Sequence, residues 1–160
     1  MTTFIDASKA DEAAVGELLG RTPVGRFAVR ARRLDGRPVV IENEPHLRDG
    51  TPMPTLYWLV DRELREAVSR VEGEGGVHRY ESMVCAAELQ ATHDNYARER
   101  GAATVQVERV QPTGGVGGTR TGVKCLHAHV AYFLIGGEDP VGSLVAHELT
   151  LPEIQLENPR

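Results

Sequence analysis

The sequence has only two cysteines, Cys85 and Cys125, among its 160 residues. Two thiols are too few for a disulfide framework or an all-cysteine zinc site, and we expect both to be reduced. Net positive charge is also lacking. The formal charge of −5 argues against a nucleic-acid-binding protein, because neutralising phosphates requires a cationic surface. Six arginines between residues 21 and 37 leave two alternatives open, a local basic patch or solvated arginines on one side of a hairpin.

Long hydrophobic runs are absent as well. No apolar run approaches the ~20 residues that span a bilayer, and residues 1–6 lack the basic and apolar regions of a signal peptide. We therefore expect a cytoplasmic protein with no membrane partner. Hydrophobic residues make up 41% of the chain and charged residues 26%, which is typical of one globular domain. We place that domain at residues 1–151 and a polar C-terminal tail at residues 152–160.

Hydrophobic spacing and turn residues predict an α+β fold, in which a small antiparallel sheet of about four strands is packed by about five helices. The strands are expected near residues 25–33, 37–43, 55–60 and 104–110, and Asp35-Gly36 connects the first two as a hairpin. The helices are expected after Ser8, after Asp61, over 77–100, over 123–135 and after Asp139. The 77–100 segment has apolar stripes on nearly opposite faces, so it is either sandwiched between two layers or broken midway.

The most informative segment is 114–129, which combines five glycines with two cationic side chains, a thiol and two imidazoles. A glycine-rich loop before a helix can direct backbone N–H groups at an anion. It is not a P-loop, because Val123 and Cys125 stand where that motif requires lysine and a hydroxyl residue. A mobile loop without a ligand is the alternative. The predicted contacts to a small phosphate-bearing ligand are Gly115, Gly117, Gly118, Thr119, Arg120, Thr121 and Lys124.

The Cys-x-His-x-His pattern at residues 125–129 has a meaning that depends on local geometry. On a strand, all three side chains would share one face and could bind a single metal. On a helix, His127 and His129 point apart, whereas Cys125 and His129 lie one turn apart and become the candidate ligands of a metal such as zinc. Further ligands would then come from elsewhere, with Cys85, His93 and His46 as candidates. Structural histidines and a buried thiol are the alternative.

Without a metal, His127 and His129 are the candidate catalytic proton carriers. A histidine beside Lys124 would have its cationic form disfavoured, which suits a proton acceptor. A second polar cluster, His93-Asp94 with Tyr96, is an ordinary helix surface unless the fold brings it against the glycine-rich loop.

The chain resembles an uncharacterised, mainly actinobacterial family, domain-of-unknown-function family 501. The matching blocks are Leu19-Gly-Arg-Thr-Pro23, Gly36-Arg-Pro-Val39, Asp49-Gly-Thr-Pro-Met-Pro-Thr-Leu-Tyr-Trp-Leu59, Ser69-Arg-Val-Glu72 and Val123-Lys-Cys-Leu-His127. The resemblance implies a small bacterial cytoplasmic protein encoded near a septum formation initiator, enolase and an exopolyphosphatase. Family members often carry cysteines in the first hairpin and after the Tyr-Trp-Leu block. Residues 31–35 here lack the first, and Asp61 occupies the region of the second.

Three functions follow as hypotheses. The first is binding of a small phosphate-bearing ligand at the 114–129 segment, with hydrolysis of that ligand as a further step. The second is a metal-dependent hydrolase that uses Cys125 and His129. The third is a non-enzymatic interaction module with a division-related protein partner. The sequence leaves both an enzyme and a binding module open.

Overall fold

The hairpin predicted around Asp35-Gly36 forms the centre of the sheet, and Gly36 adopts the positive φ of 94° that its turn requires. The computed structural model describes residues 5–157. The elements in chain order are α1 (Lys9–Leu19), β1 (Phe27–Arg33), β2 (Pro38–Asn43), β3 (Tyr57–Leu59), α2 (Arg62–Gly73), α3 (Gly76–Met83), α4 (Ala86–Ala103), α5 (Leu126–Leu134), α6 (Pro140–Glu148) and β4 (Ile154–Leu156). The α+β class and the first three predicted strands are confirmed.

The sheet is antiparallel throughout, in the order β3-β2-β1-β4. Strand β2 is buried along its whole length, which indicates that helices cover both faces of the sheet. On one face, Val15 and Leu18 of α1 pack with Ile41 and Val60. On the other, a larger core includes Val40 together with Val130 of α5. Helix α5 contacts α2, α6 and β3, so its side chains reach several layers at once.

Three helices begin at the predicted capping residues. The Ser8 hydroxyl accepts a hydrogen bond from the Asp11 N–H at the start of α1. Asp61 and Asp139 accept equivalent bonds at α2 and α6, and Pro140 occupies the first turn of α6. Each cap satisfies an N–H group that the helix itself leaves without a partner.

One expectation about the strands was wrong. Residues 104–110 do not form a strand: Val105, Val107 and Val110 are 65%, 75% and 79% exposed, so their alternation has no core to face. The position beside β1 is taken instead by β4, within the segment that the sequence placed in a polar tail. The described residues contain six α-helices, close to the predicted number of about five. The 77–100 segment follows the second of its two predicted alternatives, because it breaks where Val84 and Cys85 adopt extended backbone.

The predicted domain and tail limits at residues 1–4 and 158–160 lie outside the described residues. No helix among residues 5–157 combines the length and the apolar character that crossing a bilayer requires.

Candidate functional site

A cavity of about 970 Å³ opens where the polar face of α2 meets β3 and the first turn of α5. Its apolar wall includes Leu18, Leu19 and Trp58, and the Trp58 side chain is the only indole in the chain. Its polar wall carries four guanidinium groups and one carboxylate, that of Glu66. We call this space the arginine cavity, after Arg21, Arg62, Arg65 and Arg70.

The four cavity arginines differ in their partners from the arginines of the hairpin. None of the four forms an ion pair with a carboxylate among residues 5–157. Arg65 donates to the Leu18 carbonyl at 2.9 Å, and Arg21 lies over the Trp58 ring at 5.7 Å from its centroid. The guanidinium groups of Arg62 and Arg70 have no hydrogen-bond or ion-pair partner among residues 5–157, so their charge is available to a ligand.

The arginines of the hairpin, in contrast, are neutralised. Arg33 binds Asp61 with two hydrogen bonds, of 2.5 and 2.9 Å, and contacts Glu63 at 3.0 Å. The other paired arginines of this region are Arg26, Arg30, Arg32 and Arg37. Of the six arginines that the sequence grouped between residues 21 and 37, Arg21 alone reaches the arginine cavity.

Three potential ligand or proton-transfer groups meet at the edge of this cavity. The His127 Nδ1 atom lies 2.5 Å from a Glu72 carboxylate oxygen and 3.8 Å from the Cys125 Sγ atom. On the other side of the ring, Nε2 lies 3.1 Å from both the Arg65 carbonyl oxygen and the Ser69 hydroxyl. Cys125 immediately precedes α5, and its extended backbone directs the thiol back toward His127.

Electrostatics at His127 differ from the sequence expectation. Burial alone would lower the pKa of His127. The pKa nevertheless lies above its usual value, because three neighbours outweigh burial: first Cys125, through a hydrogen bond and its charge, then the Glu72 charge and the Arg65 carbonyl. Lys124 is exposed and has no recorded contact with the ring. The cationic form of His127 is therefore favoured, and the expectation that Lys124 would disfavour it was wrong.

His129 faces the opposite side of α5, as helical geometry predicts for residues two positions apart. It is fully buried, and its Nδ1 lies 2.7 Å from the Asp139 carboxylate, so this histidine joins α5 to the start of α6. Its Nε2 has no hydrogen-bond partner among residues 5–157. Cys125 and His129, the candidate metal pair, therefore lie in different surroundings. His129 contacts Asp139, whereas the Cys125 thiol lies beside His127 and Glu72.

The glycine-rich loop binds to the rest of the chain through its own amides. The Val116 N–H donates to Nδ1 of His93 at 3.1 Å, and Nε2 of His93 donates to the Gly122 carbonyl at 2.8 Å. The Val123 N–H donates to the Glu81 carboxylate at 2.6 Å. The fold therefore does bring the His93 cluster against this loop, and a carboxylate of the chain already binds the Val123 amide, which lies three residues before α5 begins.

The remaining predicted ligand contacts are distributed around this loop. The Gly115 and Gly118 N–H groups donate to the carbonyls of Thr119 and Gly115, at 2.7 and 3.0 Å. The Thr119 hydroxyl donates to the Thr121 carbonyl at 2.9 Å. Arg120, Thr121 and Lys124 are exposed. Among the predicted contacts, Gly117 lines the arginine cavity.

Sequence reasoning located Cys125 and His127 but missed the groups that face them. Glu72, Ser69 and the three arginines of α2 lie on the polar side of a helix whose buried residues are Leu64, Val68 and Val71. Residue spacing alone predicts this polar face, and Ser69–Glu72 was among the blocks of the family resemblance. The residues that the face contacts could not be predicted, because they depend on how α2 packs beside α5.

Comparison with known proteins adds the family. No curated protein and no solved structure matches the chain. A family profile described as "Protein of unknown function (DUF501)" matches residues 29–147, which is most of the chain. That range contains α2, the Trp58 strand, the glycine-rich loop and the Cys125–His127 turn. The chain therefore belongs to the DUF501 family.

Proposed function

We propose that this protein binds a small phosphate-bearing ligand in the arginine cavity. The observation that supports the proposal is the difference between paired and unpaired arginines. Carboxylates neutralise the arginines of the hairpin, whereas Arg62 and Arg70 line the cavity and form no ion pair within the described part of the chain. Guanidinium groups match the geometry of phosphate oxygens and bind them with charge-assisted hydrogen bonds. The proposal keeps the ligand class that the sequence indicated and moves its site from the glycine-rich loop to the cavity.

The apolar wall supports a ligand that also carries an organic part. A volume of about 970 Å³ is at the upper end of the range for small-molecule sites, and it exceeds what a bare phosphate would fill. Trp58 and Leu59 offer a flat apolar surface beside the charges. A phosphate ester whose organic group packs on Trp58 fits both features.

The roles predicted for the two histidines separate under this proposal. His127 lines the cavity and is the candidate proton carrier toward a bound ligand, while His129 has a structural role with Asp139. Hydrolysis of the ligand, a division-related protein partner and a purely non-enzymatic docking role stay predictions.

The proposal is tested by fluorescence titration, because the single tryptophan lies in the cavity wall and reports on its occupancy. Pyrophosphate is the probe. We expect the double variant Arg62→Gln/Arg70→Gln to weaken its binding at least about tenfold, since each charged hydrogen bond contributes about 1.5–3 kcal/mol. The affinity of the unsubstituted protein should also fall with added salt.

The matched control is the double variant Arg48→Gln/Arg98→Gln, because both residues are exposed, lie outside the arginine cavity and together carry two charges. Its affinity should equal that of the unsubstituted protein. Equal losses of affinity in the two double variants would show that only the net charge matters and would contradict a specific binding site. A loss in Lys124→Ala with no loss in Arg62→Gln/Arg70→Gln would return the site to the glycine-rich loop.

A further inference from the structure

The strongest unassigned feature is the convergence of a thiol, an imidazole and a carboxylate from two separate helical segments. Glu72 belongs to the last turn of α2, Cys125 precedes α5, and His127 lies in the first turn of α5. Their ligand atoms, one from each side chain, all lie within 4.8 Å of one another, and all three residues are partly buried. Among residues 5–157 this is the one histidine, cysteine and acid cluster with that geometry.

The orientation of His127 is fixed from its far side. Nε2 donates its hydrogen to the Arg65 backbone carbonyl at 3.1 Å, while Nδ1 faces Glu72 and Cys125. A cation that binds there displaces the proton by which cationic His127 pairs with Glu72, and the lone pair of Nδ1 then becomes the ligand. Histidines that bind metals are held in this way, with the second ring nitrogen donating to a carbonyl or a carboxylate. The Ser69 hydroxyl, also 3.1 Å from Nε2, adds a second polar contact on that side.

The spacing of the three atoms suits a tetrahedral ion. Metal–ligand bonds of about 2.0–2.3 Å in a tetrahedron place nitrogen, oxygen and sulfur ligands about 3.3–3.6 Å apart. The observed separation from Sγ to Nδ1 is 3.8 Å, which is close to that range. The separation from Nδ1 to the Glu72 oxygen is 2.5 Å, so the flexible carboxylate has to retreat by under about 1 Å.

We propose that Glu72, Cys125 and His127 form a binding site for a zinc-class divalent cation, with a fourth coordination position open to the arginine cavity. A thiolate with an imidazole selects zinc-class ions over magnesium or calcium, which prefer oxygen ligands. Three protein ligands leave one position for water or a ligand atom, and Cys125 and His127 both line the cavity. The site goes beyond anion binding and does not depend on it, because its ligands are not Arg62 or Arg70.

Cobalt titration of untagged protein in a non-thiol reductant tests this proposal directly. We expect one Co²⁺ per chain, with the intense absorption of a cobalt–thiolate bond, and displacement of the cobalt by Zn²⁺. Cys125→Ala should abolish that absorption, and Glu72→Gln and His127→Gln should each weaken binding at least about tenfold. The matched controls Cys85→Ala, Glu74→Gln and His78→Gln change exposed residues outside the cluster and should bind as the unsubstituted protein does.

A second measurement needs no variant and so does not depend on the folding of one. Bound Zn²⁺ should slow alkylation of Cys125 at least about tenfold and leave the exposed Cys85 unchanged, as read by peptide mass spectrometry. Absence of a cobalt–thiolate band together with equal alkylation with and without Zn²⁺ would overturn the proposal and leave a metal-free ion pair of His127 with Glu72. Pyrophosphate binding with a chelator present reports on the arginine cavity alone, so failure of one proposal is distinguishable from failure of the other.

Discussion

At the residue scale, the glycines of residues 114–122 act mainly through the side chain that they lack. A Cβ on Gly115 would lie 2.5 Å from the Cβ and Nδ1 atoms of His93, and one on Gly114 would meet the backbone of Gly118. Gly117, Gly118 and Gly122 have positive φ values of 69°, 77° and 65°. Gly115 lets the loop approach α4 closely, and positive φ values account for Gly117, Gly118 and Gly122, so neither feature requires an anion.

Gly115→Ala tests this close approach. We expect a loss of about 1–3 kcal/mol in the free energy of unfolding, because the added methyl group displaces His93 and disturbs its bond with the Val116 N–H. Urea denaturation measures the change. Gly101→Ala is the matched control, since a Cβ there meets nothing within 4 Å, and replacing a helical glycine should stabilise the protein by about 0.5–1 kcal/mol. Equal stability of Gly115→Ala and the unsubstituted protein would refute the close-packing explanation.

Asp61 combines a helix cap with an ion pair. Its carboxylate accepts the Leu64 N–H at 3.0 Å and two hydrogen bonds from Arg33. Burial opposes its ionisation, but the Arg33 guanidinium and the Leu64 N–H outweigh burial and lower the pKa of Asp61 below its usual value of 3.8. A lowered pKa in the folded state means that the charged carboxylate stabilises the protein above about pH 4 and that this stability is lost as the pH falls further.

Asp61→Asn separates these two roles, because asparagine also caps helices well. We expect a loss of about 2 kcal/mol at about pH 7, limited by the contact that Arg33 keeps with Glu63. The difference from the unsubstituted protein should shrink as the pH is lowered toward about 3, because the unfolded chain takes up the Asp61 proton before the folded protein does. Urea denaturation at both pH values measures it, with Asp94→Asn, an exposed aspartate on α4, as the control. A difference that stays constant with pH would contradict the assignment.

At the element scale, the predictions that held were those encoded by neighbours in sequence. Ser8, Asp61 and Asp139 cap their helices through residues three positions away, and the Asp35-Gly36 turn joins adjacent strands. The failures involved tertiary context. The alternation over residues 104–110 suits a strand, but a strand forms only beside another strand, and the edge of β1 is occupied by residues from the end of the described chain.

The strand β4 therefore contributes to stability although the sequence placed it in a tail. Ala31 pairs with Leu156, and the Glu157 N–H donates to the Arg30 carbonyl at 2.7 Å. We expect a chain ending at Leu151 to lose about 1–3 kcal/mol and to self-associate more, because it exposes the edge of β1. Thermal denaturation and sedimentation measure both effects, with a chain ending at Glu157 as the control that keeps β4. The same melting temperature for the two chains would refute this role.

At the scale of the whole molecule, the candidate site brings together parts of the chain that no local pattern connects. The sequence identified Cys125 and His127 as chemical groups and correctly placed His127 in a helix, but it began that helix at residue 123, whereas Cys125 precedes it in extended conformation. It could not identify Glu72 or Trp58 as their neighbours, because these reach the cavity through the docking of α2 and β3 against α5. The sequence predicted an anion site at the glycine-rich loop because it does not show which groups of the chain already bind the loop amides.

The charge distribution over the whole molecule separates the neutralised arginines of the hairpin from the unpaired arginines of the cavity. The chain has a formal charge of −5, and eight of its 23 acidic residues form ion pairs with the arginines of the hairpin. The cavity between α2 and α5 keeps cationic side chains without such partners. Under the proposal made above, this concave surface would attract small anions although the protein as a whole is negatively charged, and the rest of the surface would not attract nucleic acid.

Backbone-amide NMR of isotopically labelled protein during addition of pyrophosphate tests the location of this site most directly. We expect the largest shifts at the Trp58 indole N–H, along the first two turns of α2 and at Cys125 to Ala128, the groups that line the arginine cavity. Residues 120–122 should shift little. Shifts confined to residues 114–124, with Trp58 and α2 unchanged, would contradict the account and place the anion at the glycine-rich loop.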